Sequence, residues 1–155
     1  MKVAVACDHA GFPLKQIIMD TASQAGHEVI DLGTDSTASV DYPDFAEKAG
    51  RAIQRKEADR AIVICGSGVG AAVAANKMAG VRAGVCHDTY SAHQCVEHDD
   101  VNVLALGARI IGPEIAIEVV RAFLAAKFSG EERHLRRLNK ILALERSEAS
   151  RKQGA

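Results

Sequence analysis

The sequence predicts an α/β fold, a five-stranded parallel sheet covered by helices on both faces. Three observations lead there. Short apolar, β-branched runs alternate with amphipathic stretches at helical spacing. The 155 residues are 48% hydrophobic and 25% charged, the size and balance of one packed domain, which excludes disorder as the main state. Reactive side chains gather just after the apolar runs, where open parallel sheets bind their ligands.

Val3–Cys7 is β-rich and makes the first strand. Phe12–Ala25 follows as a helix, with Leu14, Ile18, Ala22 and Ala25 on one stripe. Glu28–Leu32 is the second strand, stopped by Gly33. Pro43–Arg55 reads as a helix that starts after Asp41 and carries Phe45, Ala49 and Ile53 inward. Ala61–Cys65 is the most apolar run, suited to burial on both faces. Gly66-Ser67-Gly68-Val69-Gly70 turns it into a helix over Ala71–Met78. Val81–Val85 and Val101–Leu106 are the fourth and fifth strands, with a helical segment, Ser91–Glu97, between them. Pro113–Lys127 is a helix with proline near its first position and Ile115, Val119 and Phe123 as its stripe. Ser129-Gly130 punctuates the chain, and Glu131–Arg146 is the last helix. Residues 1–146 then form one domain, and 147–155 read as a frayed polar tail.

Composition narrows the function. Nineteen Lys and Arg against twenty Asp and Glu leave a net charge of −1, so bulk electrostatics do not predict nucleic-acid or membrane partners. Aromatics are 4% with no Trp, too few for base-stacking or sugar-stacking platforms. The cysteines at 7, 65, 86 and 95 lack C-x-x-C spacing, so neither structural zinc nor a thioredoxin-type motif is expected. Met1–Val5 runs directly into a strand, and no apolar run reaches the length of a membrane span. A cytoplasmic protein with reduced thiols is the expectation.

Cys65 and the glycine loop after it carry the most chemical information. Alternating glycines let the backbone approach a ligand and turn its N–H groups inward, which suits a phosphate or a developing oxyanion. The loop is neither a P-loop nor the dinucleotide fingerprint, which tells against a dehydrogenase. A thiolate here could serve as a general base, with the neighbouring amides holding the enediolate oxygen. The competing reading is a tight turn and a buried small hydrophobe. Asp8-His9, after the first strand, suits hydroxyls and an anion, or Asp8 is simply a helix cap. His98-Asp99 ends a polar helix, where a solvated histidine is the plain alternative. Arg133 and Arg137 project together and could clamp a phosphate, although a solvated basic face explains them equally. Cys7, Cys86 and Cys95 read as packing residues.

Several stretches, in order, resemble the type B ribose-5-phosphate isomerase family, whose wider group includes galactose-6-phosphate isomerase subunits. They are Val5-Ala6-Cys7-Asp8-His9-Ala10-Gly11, Asp41-Tyr42-Pro43, Ile64-Cys65-Gly66-Ser67-Gly68-Val69-Gly70, Ala74-Ala75-Asn76-Lys77 and Asn102-Val103-Leu104. The resemblance runs from about Met1 to Arg146. It implies a Rossmann-like three-layer sandwich with strand order 2-1-3-4-5. It also implies a homodimer, in some members paired into tetramers, with the C-terminal helix packed on the partner. The implied reaction is aldose–ketose interconversion of a phosphorylated sugar through an enediolate, without metal or organic cofactor. By position, Cys65 is the base between C1 and C2, Ser67 assists at the substrate oxygens, and His98 opens the furanose ring. The backbone of Gly66, Gly68, Val69 and Gly70 is the anion hole. Asp8 binds sugar oxygens and Tyr42 lines the pocket. His9, Arg109, Arg133 and Arg137 contact the phosphate, some of them from the partner subunit. Asp99 stands where the family often has Asn, in a position expected to face substrate, and an anion there weakens binding unless it is paired or turned away. The alternatives are the same chemistry on a four-carbon or six-carbon sugar phosphate, or a non-catalytic sugar-phosphate-binding module.

Overall fold

Five strands and six helices alternate along residues 1–153, the part of the chain that the computed structural model describes. They are β1 (Lys2–Cys7), α1 (Phe12–Gln24), β2 (Glu28–Asp31), α2 (Tyr42–Gln54), β3 (Arg60–Cys65) and α3 (Val69–Ala75). Then come β4 (Ala83–Val85), α4 (Thr89–Asp99), β5 (Val103–Gly107), α5 (Pro113–Ala125) and α6 (Glu132–Gln153). Proline stands at the first or second position of α1, α2 and α5, where its missing N–H costs no helical bond.

All strand pairings are parallel, and the three-layer α/β arrangement is the expected one. The strand order is β2-β1-β3-β5-β4, not 2-1-3-4-5. β5 takes the inner place because Val103–Gly107 is buried along its whole length. β4 has two half-buried residues and an exposed one, Val85, and fits only an edge. The open side of that edge is closed by Asn76. Its carboxamide donates to the Ala83 carbonyl at 2.9 Å and accepts the Ala83 N–H at 2.7 Å.

Side chains alternate across the sheet. Val3, Val5, Cys7, Ile62, Ile64, Leu104 and Leu106 pack with α1, α4 and α5. Ala4, Ala6, Ala61, Val63 and Cys65 pack with α2 and α3, whose inner residues are mostly alanine. Small residues on both sides let the second helical layer approach the strands closely. The Arg60 guanidinium donates to the carbonyls of Phe123, Leu124 and Ala126, satisfying the end of α5.

The last helix is longer than expected. It continues past Arg146 to Gln153, with the Ser147 and Ser150 hydroxyls donating to the carbonyls of Leu144 and Arg146. Residues 154–155 of the expected tail lie outside the described residues. Among the described residues of α6, only His134 and Leu138 are buried, while Leu135, Ile141 and Leu144 are exposed. No helix of the described residues is long and apolar enough to cross a membrane.

Candidate active site

The chain leaves β1 toward β2 on one side and β3 toward β4 on the other, so a crevice opens between the ends of β1 and β3. Register places the ends of these strands together, with Cys7 opposite Ile64. The Asp8 N–H then donates to the Ile64 carbonyl at 3.2 Å. A cleft of about 540 Å³ lies above them, lined by Asp8, His9, Tyr42, Cys65, Gly66, Ser67, Val69, Gly70 and Arg109.

Cys65 is 5% exposed at the floor of this cleft. Its sulfur accepts the Gly68 N–H at 3.1 Å, a bond that strengthens as the sulfur becomes negative. Gly68 has φ +80°, the left-handed conformation that aims this amide back at the cysteine. A Cβ at Gly70 would lie 2.8 Å from the Tyr42 ring, so the missing side chain lets the tyrosine close over the start of α3. Ser67 is exposed at the rim, its Oγ accepting the Val69 N–H at 3.3 Å. The Arg109 side chain crosses above Gly66, and its backbone N–H donates to the Gly66 carbonyl at 3.0 Å.

Asp8 does not occupy the N-cap position of α1 but braces the turn that leads into it. Its Oδ1 accepts the N–H groups of Ala10 and Gly11 at 2.9 Å each, bracing the turn into α1, and the residue also lines the cleft. The N-cap position itself is Gly11. His9 is held by the Val40 N–H, 3.2 Å from Nδ1. Lys15 anchors the loop that carries Val40, its ammonium donating at 2.8 Å to both Asp31 and the Thr34 carbonyl.

Five residues expected in the site do not line this cleft within one chain: Gly68, whose N–H is turned onto the Cys65 sulfur, and His98, Asp99, Arg133 and Arg137. His98 lies on α4, its Nδ1 2.8 Å from the Gln94 amide and its ring stacked on His134 with centroids 4.0 Å apart. Asp99 borders a separate groove between α6 and the β4 edge, beside Arg82 and Glu145. Arg133 pairs with Glu131 at 2.9 Å, and Arg137 is exposed. The ionisable groups in the cleft are therefore Asp8, His9, Tyr42, Cys65 and Arg109, of which only Arg109 and His9 can bring positive charge to a phosphate dianion.

Ala10 and Ile110 also line the cleft and were not anticipated, since neither carries a reactive group. His134 is a buried residue that the sequence pattern does not single out. It is 1% exposed, its Nδ1 lies 2.6 Å from the Ser129 hydroxyl, and burial followed by the neighbouring His98 pushes its pKa below the ordinary histidine value. The strand-end cysteines do not converge, and no three potential ligands among the described residues form a metal cluster. Size alone does not mark the site. A groove of about 710 Å³ runs along α2 from Asp44 to Arg55 with no nucleophile or glycine loop on its walls.

A cysteine at a strand end, an amide turned onto its sulfur, and a carboxylate and a guanidinium on the walls are parts from which an acid–base site for a small oxygenated substrate can be built. The sequence profile of the Ribose/Galactose Isomerase family matches residues 3–141, and the chain belongs to that family. It is 46% identical over 144 residues to the ribose-5-phosphate isomerase B of Escherichia coli, covering 93% of this chain and 96% of that protein. It is 42% identical over 131 residues to the D-erythrulose-4-phosphate isomerase of Pectobacterium atrosepticum, covering 84% and 86%. The ribose-5-phosphate isomerase B structure from Clostridium thermocellum superimposes with a TM-score of 0.92 at 46% identity, covering 96% of this chain and 99% of that one.

Proposed function

We propose that this chain interconverts D-ribose 5-phosphate and D-ribulose 5-phosphate, with Cys65 as the base. The observation that carries the proposal is the Cys65 sulfur receiving the Gly68 amide on the floor of the β1–β3 cleft, in a member of this family. The Cys65 thiolate takes the C2 proton of the open aldose, and the C1 carbonyl oxygen becomes the enediolate oxygen. Backbone N–H groups of the Gly66–Gly70 loop stabilise that charge. The Ser67 hydroxyl moves a proton between the two substrate oxygens, and Cys65 returns its proton to C1. Atoms and electrons balance within the sugar, so the step consumes no co-reactant.

The cation shortage in the cleft supports a homodimer. His98 of the partner subunit would open the furanose ring. Arg133 and Arg137 of the partner subunit would join Arg109 and His9 on the phosphate. The apolar residues Ile141 and Leu144, left open on one side of α6, give that helix a face to pack on the partner. Four unpaired cysteines fit a reducing, cytoplasmic location.

The test is kcat/KM across phosphorylated aldoses and ketoses of four to six carbons, run in deuterated water. Ribose 5-phosphate should rank first and acquire solvent deuterium at the exchanging carbon. The relationship to the D-erythrulose-4-phosphate isomerase supports a second reading, a four-carbon substrate, and a higher rank for that sugar would replace the first. Binding with neither isomer formation nor deuterium incorporation would reduce the chain to a non-catalytic module.

A further inference from the structure

Cys86 and Cys95 have no part in the reaction proposed above, yet their sulfur atoms lie 3.8 Å apart. Cys86 follows the edge strand β4 and is 4% exposed; Cys95 sits on the inner face of α4 and is 9% exposed. A disulfide needs about 2.05 Å between sulfurs, so closing the gap takes a movement of roughly 1.8 Å, on the scale of a side-chain rotation. The remaining cysteines stand apart from this pair. Cys65 opens onto the cleft, and burial raises the lone Cys7 thiol to about 11.

Two further observations bear on reactivity. The Cys86 thiol faces the Cys95 sulfur, while Cys95 donates its own S–H to the Ala92 carbonyl at 3.3 Å. With the Cys95 proton held by that carbonyl, Cys86 is the sulfur left to lose its proton and act as nucleophile. Beside it, Gly84 leaves a vacant methyl-sized space. A Cβ built there would lie 3.7 Å from the Cys86 sulfur and 3.7 Å from the nearest Val101 methyl, ordinary contact distances. With Cys86 only 4% exposed and no side chain on Gly84 to cover its sulfur, a small hydroperoxide reaches it more readily than a bulky disulfide reagent.

We propose that Cys86 and Cys95 form a reversible oxidation site, converted to an intramolecular disulfide by hydrogen peroxide or a similarly small hydroperoxide. The Cys86 thiolate attacks one peroxide oxygen; the O–O bond breaks, hydroxide leaves, and Cys86 becomes a sulfenic acid. Cys95 then gives up its proton and attacks the Cys86 sulfur, expelling the sulfenic oxygen as water. Two thiols lose two electrons and two protons, and one peroxide becomes two waters. The new bond staples the edge strand to α4, the helix that carries His98.

The experiment treats the whole protein with hydrogen peroxide, alkylates it in denaturant, and digests it with trypsin without reduction. Peptide Ala83–Arg109 contains both cysteines and neither of the others. It should appear unalkylated and lighter than its dithiol form by about 2 Da, the two hydrogens lost, and dithiothreitol should reverse the change. Cys95→Ser should abolish the disulfide and carry Cys86 on to the sulfinic acid. Gly84→Ala should slow disulfide formation several-fold by filling the approach. If Cys86 and Cys95 both stay alkylatable after peroxide has oxidised Cys65, the proposal is overturned. The same holds if wild-type Cys86 reaches the sulfinic acid as fast as in Cys95→Ser. An unchanged rate in Gly84→Ala overturns the approach path.

Discussion

Cys65 concentrates the chemistry in one atom, and its removal is the sharpest residue-level test. Cys65→Ala should lower kcat by roughly 10²–10⁴-fold, the usual share of a general base, while the thermal midpoint stays near that of the wild type. Loss of activity together with loss of fold would point to packing instead. His134 makes a different prediction. Its folded pKa is depressed by burial, so the native state binds fewer protons than the unfolded chain below about pH 6.5. The stability it contributes is present above that value and disappears as pH falls through the folded pKa. Denaturation midpoints should drop between pH 7.5 and 5, and less so in His134→Phe, which keeps a ring against His98 without titrating. An equally steep drop in that variant would clear His134 of the effect. Cys65, Ser67 and the glycines were legible because the strand, turn and chemistry are contiguous. His134 was not, since its burial comes from His98 on another helix, and Arg133 and Arg136 beside it make the run look solvated.

Among the elements, α5 depends on a residue from the sheet. Arg60 opens β3 and satisfies three carbonyls at the end of α5, so Arg60→Met leaves them without a donor. Charge-assisted bonds of this kind contribute about 1.5–3 kcal/mol each, and the variant should lose about 2–3 kcal/mol in urea denaturation, since water will replace part of them. A change under about 0.5 kcal/mol would mean that solvent already satisfies those carbonyls. The alternation of strands and helices was readable from period alone. The exchange of β4 and β5 was not, because periodicity reports burial along one run but not which run lies beside it. The continuous apolar stretch Val103–Leu106 against the glycine-containing Val81–Val85 was the available signal for interior and edge. The extension of α6 to Gln153 was hidden for another reason. Residues 147–153 are polar on every side, so no apolar stripe marks them, and local hydroxyl and Arg151–Glu148 contacts hold that turn instead.

At the scale of the whole molecule, the near-zero charge divides unevenly. Residues 131–155 carry seven Lys and Arg against four Asp and Glu, a net of +3, and residues 1–130 carry −4. The cations lie on α6, away from the cleft of their own chain, which is the arrangement a shared site requires. Mixing two inactive variants tests this. Unfolded together and refolded, Cys65→Ala and His98→Ala chains should recover about a quarter of wild-type activity, because half of the dimers are mixed and each holds one intact site. No recovery would place the complete site within one chain. The pairing of Asn76 with Ala83 has a consequence on the same scale. An edge strand offers its outward amide and carbonyl to any passing strand, and sheets grow into aggregates by that route. The Asn76 carboxamide occupies both groups as a neighbouring peptide would. Asn76→Ala should raise light scattering in concentrated solution before it lowers activity. One side chain thus ends the sheet, and it keeps crowded copies of the protein from adding strands to one another.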